Sequence, residues 1–398
     1  MSRFVTAAKF VVIAALLIAA GRLVMAHNQE QTKILVVHSY NTDMAWVNDI
    51  DDGIRQAIED ADPGIARRLN VRTHYMDLRN HPDCNFYRNA AANVRFTIDD
   101  WGPEAVIIVD DLGQALVGFN HLDFAPDAPD RTAMAQDLNT WLAGDRCDLP
   151  ALDFFDLDNP AAAQPEIVFA GVNGGVGRYG YDVARNVSGI FERKNYPALI
   201  EMLGDLADAY DGPVAGVTML NDASPTGMTE SRNFETIDWA PFTPSPPVNA
   251  ATEAEWHAAV LQANADDKML LIANYQNVVD ADGDPVPPRD LIAWTERHAK
   301  LPVLGANTNF VADGGMLTAA IAGSEQGRVA MTLAIAAVEG DAPHRRVEAE
   351  QFLIGMNQSL VRKRDLTLPS IYEAFSREIG TFVGAVERLY TVRGQDGA

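Results

Sequence analysis

The sequence predicts an α/β fold made of two doubly wound lobes with a cleft between them. Three observations predict it. Short aliphatic runs alternate with amphipathic helical segments along most of the 398 residues. Those runs do not alternate apolar with polar side chains, which is how parallel strands covered on both faces read. The alternation also comes as two successive series, broken near 180–196, each the size of one lobe. In open α/β sheets ligands sit outside the carboxyl ends of the strands. Two lobes presenting polar strand ends therefore imply a shared hollow.

The first series opens at Ile34–Val37, an unbroken aliphatic run that stops at His38-Ser39-Tyr40-Asn41. Val47, Ile50, Ile54, Ile58 and Ala61 then recur at helical spacing. Ser39, Tyr40 and Trp46 stand at this strand end as the first candidates to touch a ligand; capping the core is the alternative for Tyr40 and Trp46. Val71–Tyr75 reads as a strand, and Phe86, Ala90, Val94, Ile98 and Trp101 as a helix face. Ala105–Val109 is a third strand, ending in Asp110-Asp111. The stretch 120–165, rich in Asp, Pro and Ala, reads as a surface excursion with one short helix near Met134–Leu142. Glu166–Ala170 returns to strand.

The second series begins after an amphipathic helix over 196–210. Its strands are Val214–Leu220, ending in Asn221-Asp222-Ala-Ser224, Met269–Ala273, ending in Asn274-Tyr275, and Pro302–Leu304. Helices are expected over Ala250–Ala265 and up to Ala299, and the four prolines of 241–247 mark a loop. Met316–Ile321, a helix from Ser324 to about Glu339, and Gln351–Gly355 belong cleanly to neither series. Val361–Leu368 is polar, and Pro369–Leu389 reads as a terminal helix.

Charge and cysteine usage narrow the function. The formal net charge is −24. Residues 1–26 hold Arg3, Lys9 and Arg22 and no acid, so the remainder is more acidic still. Such a surface repels phosphate backbones and argues against nucleic acid as a partner. Residues 1–26 read as a signal peptide, with Arg3 and Lys9 before the apolar run Phe10–Ala20 and small residues at Val24 and Ala26. The run is short for a membrane span. Export from the cytoplasm to the periplasm or extracytoplasmic space is expected. Cys84 and Cys147 are the two cysteines. In an oxidising compartment they can pair, closing a loop of roughly 60 residues and adding about 4 kcal/mol; two buried free thiols are the alternative.

No motif for covalent or metal chemistry is visible. Gly175-Val-Gly177-Arg-Tyr-Gly180 matches a dinucleotide fingerprint but follows a late strand and opens no helix, so a flexible connection is the better reading. Asp280-Ala-Asp282-Gly-Asp284 lacks the glycine and glutamate a calcium loop needs at its sixth and twelfth positions, and reads as a turn. Asp110-Asp111 reads as a helix cap combined with an acceptor for a ligand amine or hydroxyl; a catalytic pair or metal site is the other possibility. His38, at a strand end, is the histidine to watch. No cofactor and no enzymatic activity are expected.

Ile34-Leu-Val-Val-His-Ser-Tyr-Asn41 followed by Trp46 resembles the opening of extracytoplasmic solute-binding proteins of ABC transporters with the type I periplasmic binding fold. Val168-Phe-Ala-Gly-Val-Asn173 with Asn186-Val-Ser-Gly-Ile190, and Asp313-Gly-Gly with Gly323-Ser-Glu-Gln-Gly-Arg328, resemble that family's middle and late signatures. The resemblance covers nearly the whole chain after residue 26. It implies two doubly wound Rossmann-like lobes joined by a multi-crossing hinge, with lobe one at 27–186 plus 323–342, lobe two at 187–322 plus 343–365, and a C-terminal helix at 366–398. Its cleft positions fall on Ser39, Tyr40, Asp110, Asn173, Asn221, Ser224, Asn274 and Asp313. Tyr40, Trp46 and Tyr275 suit a ring, and Asp110 and Asp222 suit an amine or hydroxyls. The insertions at 120–165 and 241–247 depart from the family's pattern and bear on the cleft rim.

The implied function is capture of a small polar or aromatic molecule by hinge closure. The solute would pass to a membrane permease, and the chain would act as a monomer. A sensor presenting its occupancy to a membrane receptor kinase is the alternative. An enzyme on the same architecture is a third class.

Overall fold

The computed structural model describes residues 13, 16, 18, 31–81, 83–143, 164–340 and 345–384. The expected signal peptide and Cys147 lie outside the described residues, apart from Ile13, Leu16 and Ile18, which are exposed. Cys84 is disulfide-bonded. Among the described residues no helix is long and apolar enough to cross a membrane.

Strand β1 (Thr32–His38) leads through helix α1 (Ala45–Asp60) to β2 (Leu69–Tyr75), α2 (Cys84–Trp101), β3 (Ala105–Val109), the short α3 (Asp111–Leu116), α4 (Arg131–Ala143), β4 (Glu166–Val172) and β5 (Val187–Phe191). Helix α5 (Tyr196–Ala209) then opens a second series: β6 (Gly216–Asp222), α6 (Pro225–Glu235), β7 (Val248–Ala250), α7 (Glu253–Ala265), β8 (Lys268–Ile272), α8 (Pro288–His298), β9 (Val303–Gly305) and β10 (Leu317–Ile321). The chain ends with α9 (Gly323–Val338), β11 (Arg346–Glu348), β12 (Phe352–Asn357), α10 (Gln358–Lys363), α11 (Ser370–Ile379) and β13 (Thr381–Val383).

These strands make two sheets. The first, in the order β2-β1-β3-β4-β5-β11, is parallel throughout. The second runs β7-β6-β8-β9-β10-β12-β13, with β10 and β12 antiparallel. The chain passes between them three times, at 192–195, 322 and 349–351. Glu325, at the start of α9, ties the last two passages together: its carboxylate accepts from the backbone N–H of Glu350 (3.1 Å) and of Gln351 (2.8 Å).

The unalternated aliphatic runs have the reason expected of them. Leu35 and Val37 pack with Tyr87, Val94 and Ile98 of α2 on one face of β1, while Ile34 and Val36 pack with Ile50 and Ile54 of α1 on the other. In the second sheet Met269 and Leu271 of β8 meet α5, and Leu270 and Ile272 meet Trp256 of α7 and Ile292 of α8. Helix starts follow side-chain caps. Asp83, Asn195 and Ser224 cap α2, α5 and α6, and Thr252 with Glu255 forms a reciprocal capping box on α7. Helices α1 and α9 approach closely enough that a Cβ at Gly53 would lie 1.9 Å from the Ser324 carbonyl oxygen, and one at Gly327 1.9 Å from that of Ile50.

Several sequence expectations are corrected. Strands β5 and β11 pair in the first sheet, so the boundary drawn at 186/187 cuts that sheet, and 346–348 is not part of the second lobe. Asn186, inside the expected break near 180–196, is a buried staple: its amide donates to the carbonyls of His121 and Pro165 and accepts from the Asp123 N–H. The glycine-rich 175–180 is no flexible connection, because two turns of 3₁₀ helix bury Tyr179 and Tyr181 in the first core. The terminal helix stops at Ile379 and gives way to β13; residues 385–398 lie outside the described residues. The polar stretch after Val361 carries the end of α10.

Candidate functional site

A cleft of about 1100 Å³, its open mouth included, lies between the two sheets. Its walls are the segments that follow strands. From the first lobe come Tyr40 to Trp46 after β1, Arg79 after β2, Asp110 to Leu112 after β3, Asn173 after β4 and Glu192 after β5. From the second come Asp222 at the end of β6 with Ser224 and Thr226 beyond it, Asn274, Gln276 and Asn277 after β8, and Asn307 to Asn309 after β9. Tyr87 of α2 and Trp141 of α4 complete an aromatic side.

Asp110 is the most unusual residue in this wall. Its backbone sits at φ 68°, ψ 156°, a region that glycine occupies and other residues avoid. The side chain is 8% exposed, and Oδ2 has no hydrogen-bond partner. Burial, then the charges of Glu192 and Asp111, push its carboxyl well above the ordinary carboxylate range, against a hydrogen bond from Trp46. It precedes α3 without making a side-chain cap. Asp111 is also buried and raised by desolvation, but it is partnered: the Tyr179 hydroxyl donates to Oδ1 at 2.5 Å.

Glu192 stands at the first passage between lobes. Burial pushes its carboxyl up to about 7; Glu230 and Asp111 add to that, and Lys194 and Arg193 oppose it. Around it runs a buried polar network joining the lobes. Lys194 Nζ lies 3.6 Å from Glu230 Oε1 and donates to Asn307 Oδ1 at 3.0 Å. With its amide nitrogen facing Glu230, Asn173 donates to Glu230 Oε1 (3.0 Å) and to the Glu192 carbonyl (3.2 Å).

The second lobe offers mostly neutral groups. Asp222 is satisfied internally, accepting from Ser224 N–H and hydroxyl through Oδ1 and from Asn277 through Oδ2. Asn307 donates to the Ala273 carbonyl at 2.5 Å and to Asn274 Oδ1 at 3.3 Å. Asn274 Nδ2 is buried without a partner. At the mouth, Arg79 Nη2 donates to Gln276 Oε1 at 2.7 Å, bridging the two lobes directly.

Of the expected site residues, Tyr40, Trp46, Asp110, Asn173, Ser224 and Asn274 line this cleft, as does Asp222. Four do not. Ser39 is fully buried; its hydroxyl donates to the Val109 carbonyl and accepts from Gly113 N–H, fixing the β3–α3 turn. Asn221 lies beneath the surface, donating to Ser231 and accepting from Asn274 N–H. Tyr275 packs against Phe310 and donates to Asp313 at 2.8 Å, which places both away from the lining. His38 is buried 2.9 Å from Asp51, whose other oxygen accepts from Tyr75.

Glu192, Arg79, Gln276, Asn277, Asn307 and Trp141 were not anticipated as site residues. The run Gly305-Ala-Asn307-Thr308 after a strand carried the signal for Asn307; nothing in the local sequence marked Arg79 or Glu192. Trp141 brings the 120–165 excursion to the cleft rim. The proline-rich 241–247 instead lies along β6, where Val217 N–H donates to Thr243 and Ser245 N–H to Val217, and none of its residues lines the cleft. Asp280 forms the expected turn, accepting from Asp282 and Asp284 N–H. Among the described residues no group of three or more His, Cys, Asp or Glu could hold a metal ion.

Similar folds occur among solved structures. A conserved domain protein from Vibrio cholerae superposes with TM-score 0.56 at 13% identity, over 87% of this chain and 98% of that one. An ABC domain from Streptococcus pneumonia in complex with L-Trp gives 0.54 at 14%, over 89% and 100%. A substrate-binding protein with adhesive properties from Clostridium difficile, in its ligand-free open form, gives 0.55 at 12%, over 89% and 99%. No family model matches the chain, and no curated protein matches it. The chain has the type I periplasmic binding fold: two α/β lobes, one with a parallel and one with a mostly parallel sheet, joined by a multi-crossing hinge.

Proposed function

We propose that the protein is the extracytoplasmic solute-binding component of an ABC importer and captures one small polar or aromatic molecule between its lobes. The observation that carries this reading is the composition of the cleft. Each wall belongs to a different lobe, so a molecule in the middle contacts both only when they are closed. Its differential affinity for that form then shifts the hinge equilibrium. The likeness in fold to a substrate-binding protein and to an ABC domain holding L-Trp supports the same reading.

The magnitudes suffice. A micromolar dissociation constant corresponds to about −8 kcal/mol. Charge-assisted hydrogen bonds of roughly 1.5–3 kcal/mol each, with an aromatic contact of about 0.5–1.5 kcal/mol, reach that scale. The role is binding and delivery rather than catalysis, and the partner is a membrane permease.

A thermal-shift screen of the purified protein against amines, amino acids, sugars and nucleosides tests the reading. A concentration-dependent rise in Tm for one chemical class, with one site by calorimetry, is expected. Uptake of that solute should also be lost in a strain lacking the chain. Failure of every class to shift the melting curve, or uptake that persists without the protein, contradicts it.

A further inference from the structure

We propose that the cleft is built for an organic ammonium ion, its ring held among Tyr40, Trp46 and Tyr87 and its charged amine seated between the carboxyl groups of Asp110 and Glu192. This rests on the solute-binding reading and names the class of solute.

The charges in the cleft are unbalanced in a particular way. Asp110 is more than nine-tenths buried, lines the cleft, and leaves Oδ2 without a partner. The charged groups that bear on it are Glu192 beyond β5 and Asp111 of α3, both acids; Trp46 of α1 hydrogen-bonds it, and Tyr40 after β1 lies close by. The cations around Glu192 are shared with other acceptors. Lys194 sits beside Glu230 and donates to Asn307, and Arg193 donates to the carbonyls of Asn173 and Gly174. Arg79, at the mouth, is bridged to Gln276.

The facing wall supplies the neutral amides Asn274, Asn277 and Asn307 and the internally satisfied Asp222. A neutral solute gives these buried carboxyl groups no reason to ionise, and an anion penalises their ionised form further. A cation favours the ionised form of both and pairs with it. The strained backbone at Asp110 holds its carboxyl in the cleft wall beside Tyr40 and Trp46.

Seating the amine requires these carboxyl groups to be ionised. Burial keeps Asp110 raised and holds Glu192 at about 7, so each gives its proton to solvent as the ammonium, which keeps its own protons, takes its place. The remaining titratable groups facing the pair are Asp111, Tyr40, Glu230, Lys194 and Arg193. Capture therefore releases protons, and affinity falls as pH falls.

Isothermal titration calorimetry with three matched pairs tests this: phenethylamine and 2-phenylethanol, tyramine and tyrosol, tryptamine and tryptophol, with 3-phenylpropionate as the anion. Wild type, Asp110→Asn and Glu192→Gln are titrated at pH 8 and pH 6, in two buffers of different ionisation enthalpy. At least one amine should bind tenfold or more tightly than its alcohol at pH 8. That advantage should shrink about tenfold or more at pH 6, with net proton release, and Asp110→Asn should abolish the amine's preference over its alcohol. An alcohol or the carboxylate binding as tightly as the amine overturns the inference and leaves capture in the cleft standing. Failure of every amine to bind also overturns it; the wider solute screen then decides separately whether the cleft captures anything.

Discussion

Asp110 holds two costs at one position, a backbone conformation natural to glycine and a carboxyl group removed from water. Strain of that kind is of order 1–3 kcal/mol. The sign of the electrostatic cost follows from the raised folded-state pKa. The cost is absent below the unfolded value, grows as pH rises above it, and is complete above the folded value. Each tenfold gain in the proton affinity of the folded carboxylate over the unfolded one is worth about 1.4 kcal/mol. Asp110→Asn should therefore be more stable than wild type to urea at pH 8, by about 1 kcal/mol or more, with the gap closing towards pH 4. A gap independent of pH would show that ionisation of this residue is not the cause. Asp111 is raised by burial as well, but the Tyr179 hydroxyl donates to it. Tyr179→Phe leaves that buried carboxyl without its 2.5 Å donor and should cost about 1–3 kcal/mol in urea unfolding. The sequence made the Asp-Asp pair visible as a strand end, but not which of the two keeps an unpartnered oxygen, since that depends on a backbone dihedral and on a tyrosine 68 residues away. Side-chain alternation explains the other errors at this scale. Neighbours at a strand end face opposite ways, so Tyr40 and Asp222 line the cleft while Ser39 and Asn221 are buried beside them.

Helices α1 and α9 pack closely, and glycine makes the contact. A methyl group at Gly327 would meet the Ile50 carbonyl oxygen at 1.9 Å and the Ile54 nitrogen at 3.0 Å, backbone atoms that cannot turn aside. Gly327→Ala should destabilise the protein by about 1–3 kcal/mol in urea unfolding, where an exposed mid-helix glycine would gain stability from the same change. An unchanged or raised urea midpoint would contradict so close an approach of α1 and α9. Most of the elements were legible because periodicity is local. The runs at 34–37, 105–109 and 269–273 and the helix faces that follow need only their own residues. The boundary between lobes was not legible. It depends on whether Val187–Phe191 pairs with β4, a contact fixed by Gly189 lying on the Phe169 ring and by Asn186 stapling a loop sixty residues away. Strand β11 is three residues long with two exposed charged ends, and carries no strand signal of its own.

At the scale of the whole molecule the two lobes are linked by three chain passages, by the Glu230 network and, at the cleft mouth, by Arg79 and Gln276. The hydrogen bond from Arg79 to Gln276 runs from one lobe to the other, so separating the lobes breaks it. Arg79→Ala should shift the ligand-free protein towards open forms, seen as a larger radius of gyration, and should weaken solute binding by the free energy then needed for closure. The measurement that tests the central claim most directly is small-angle X-ray scattering of the wild-type protein, alone and saturated with the first amine or other solute shown to bind by calorimetry. The account predicts that the radius of gyration falls on binding, and that Arg79→Ala starts larger and converges on the same bound value. A bound protein whose scattering matches that of the free protein in both variants would contradict closure of the two lobes over a shared solute.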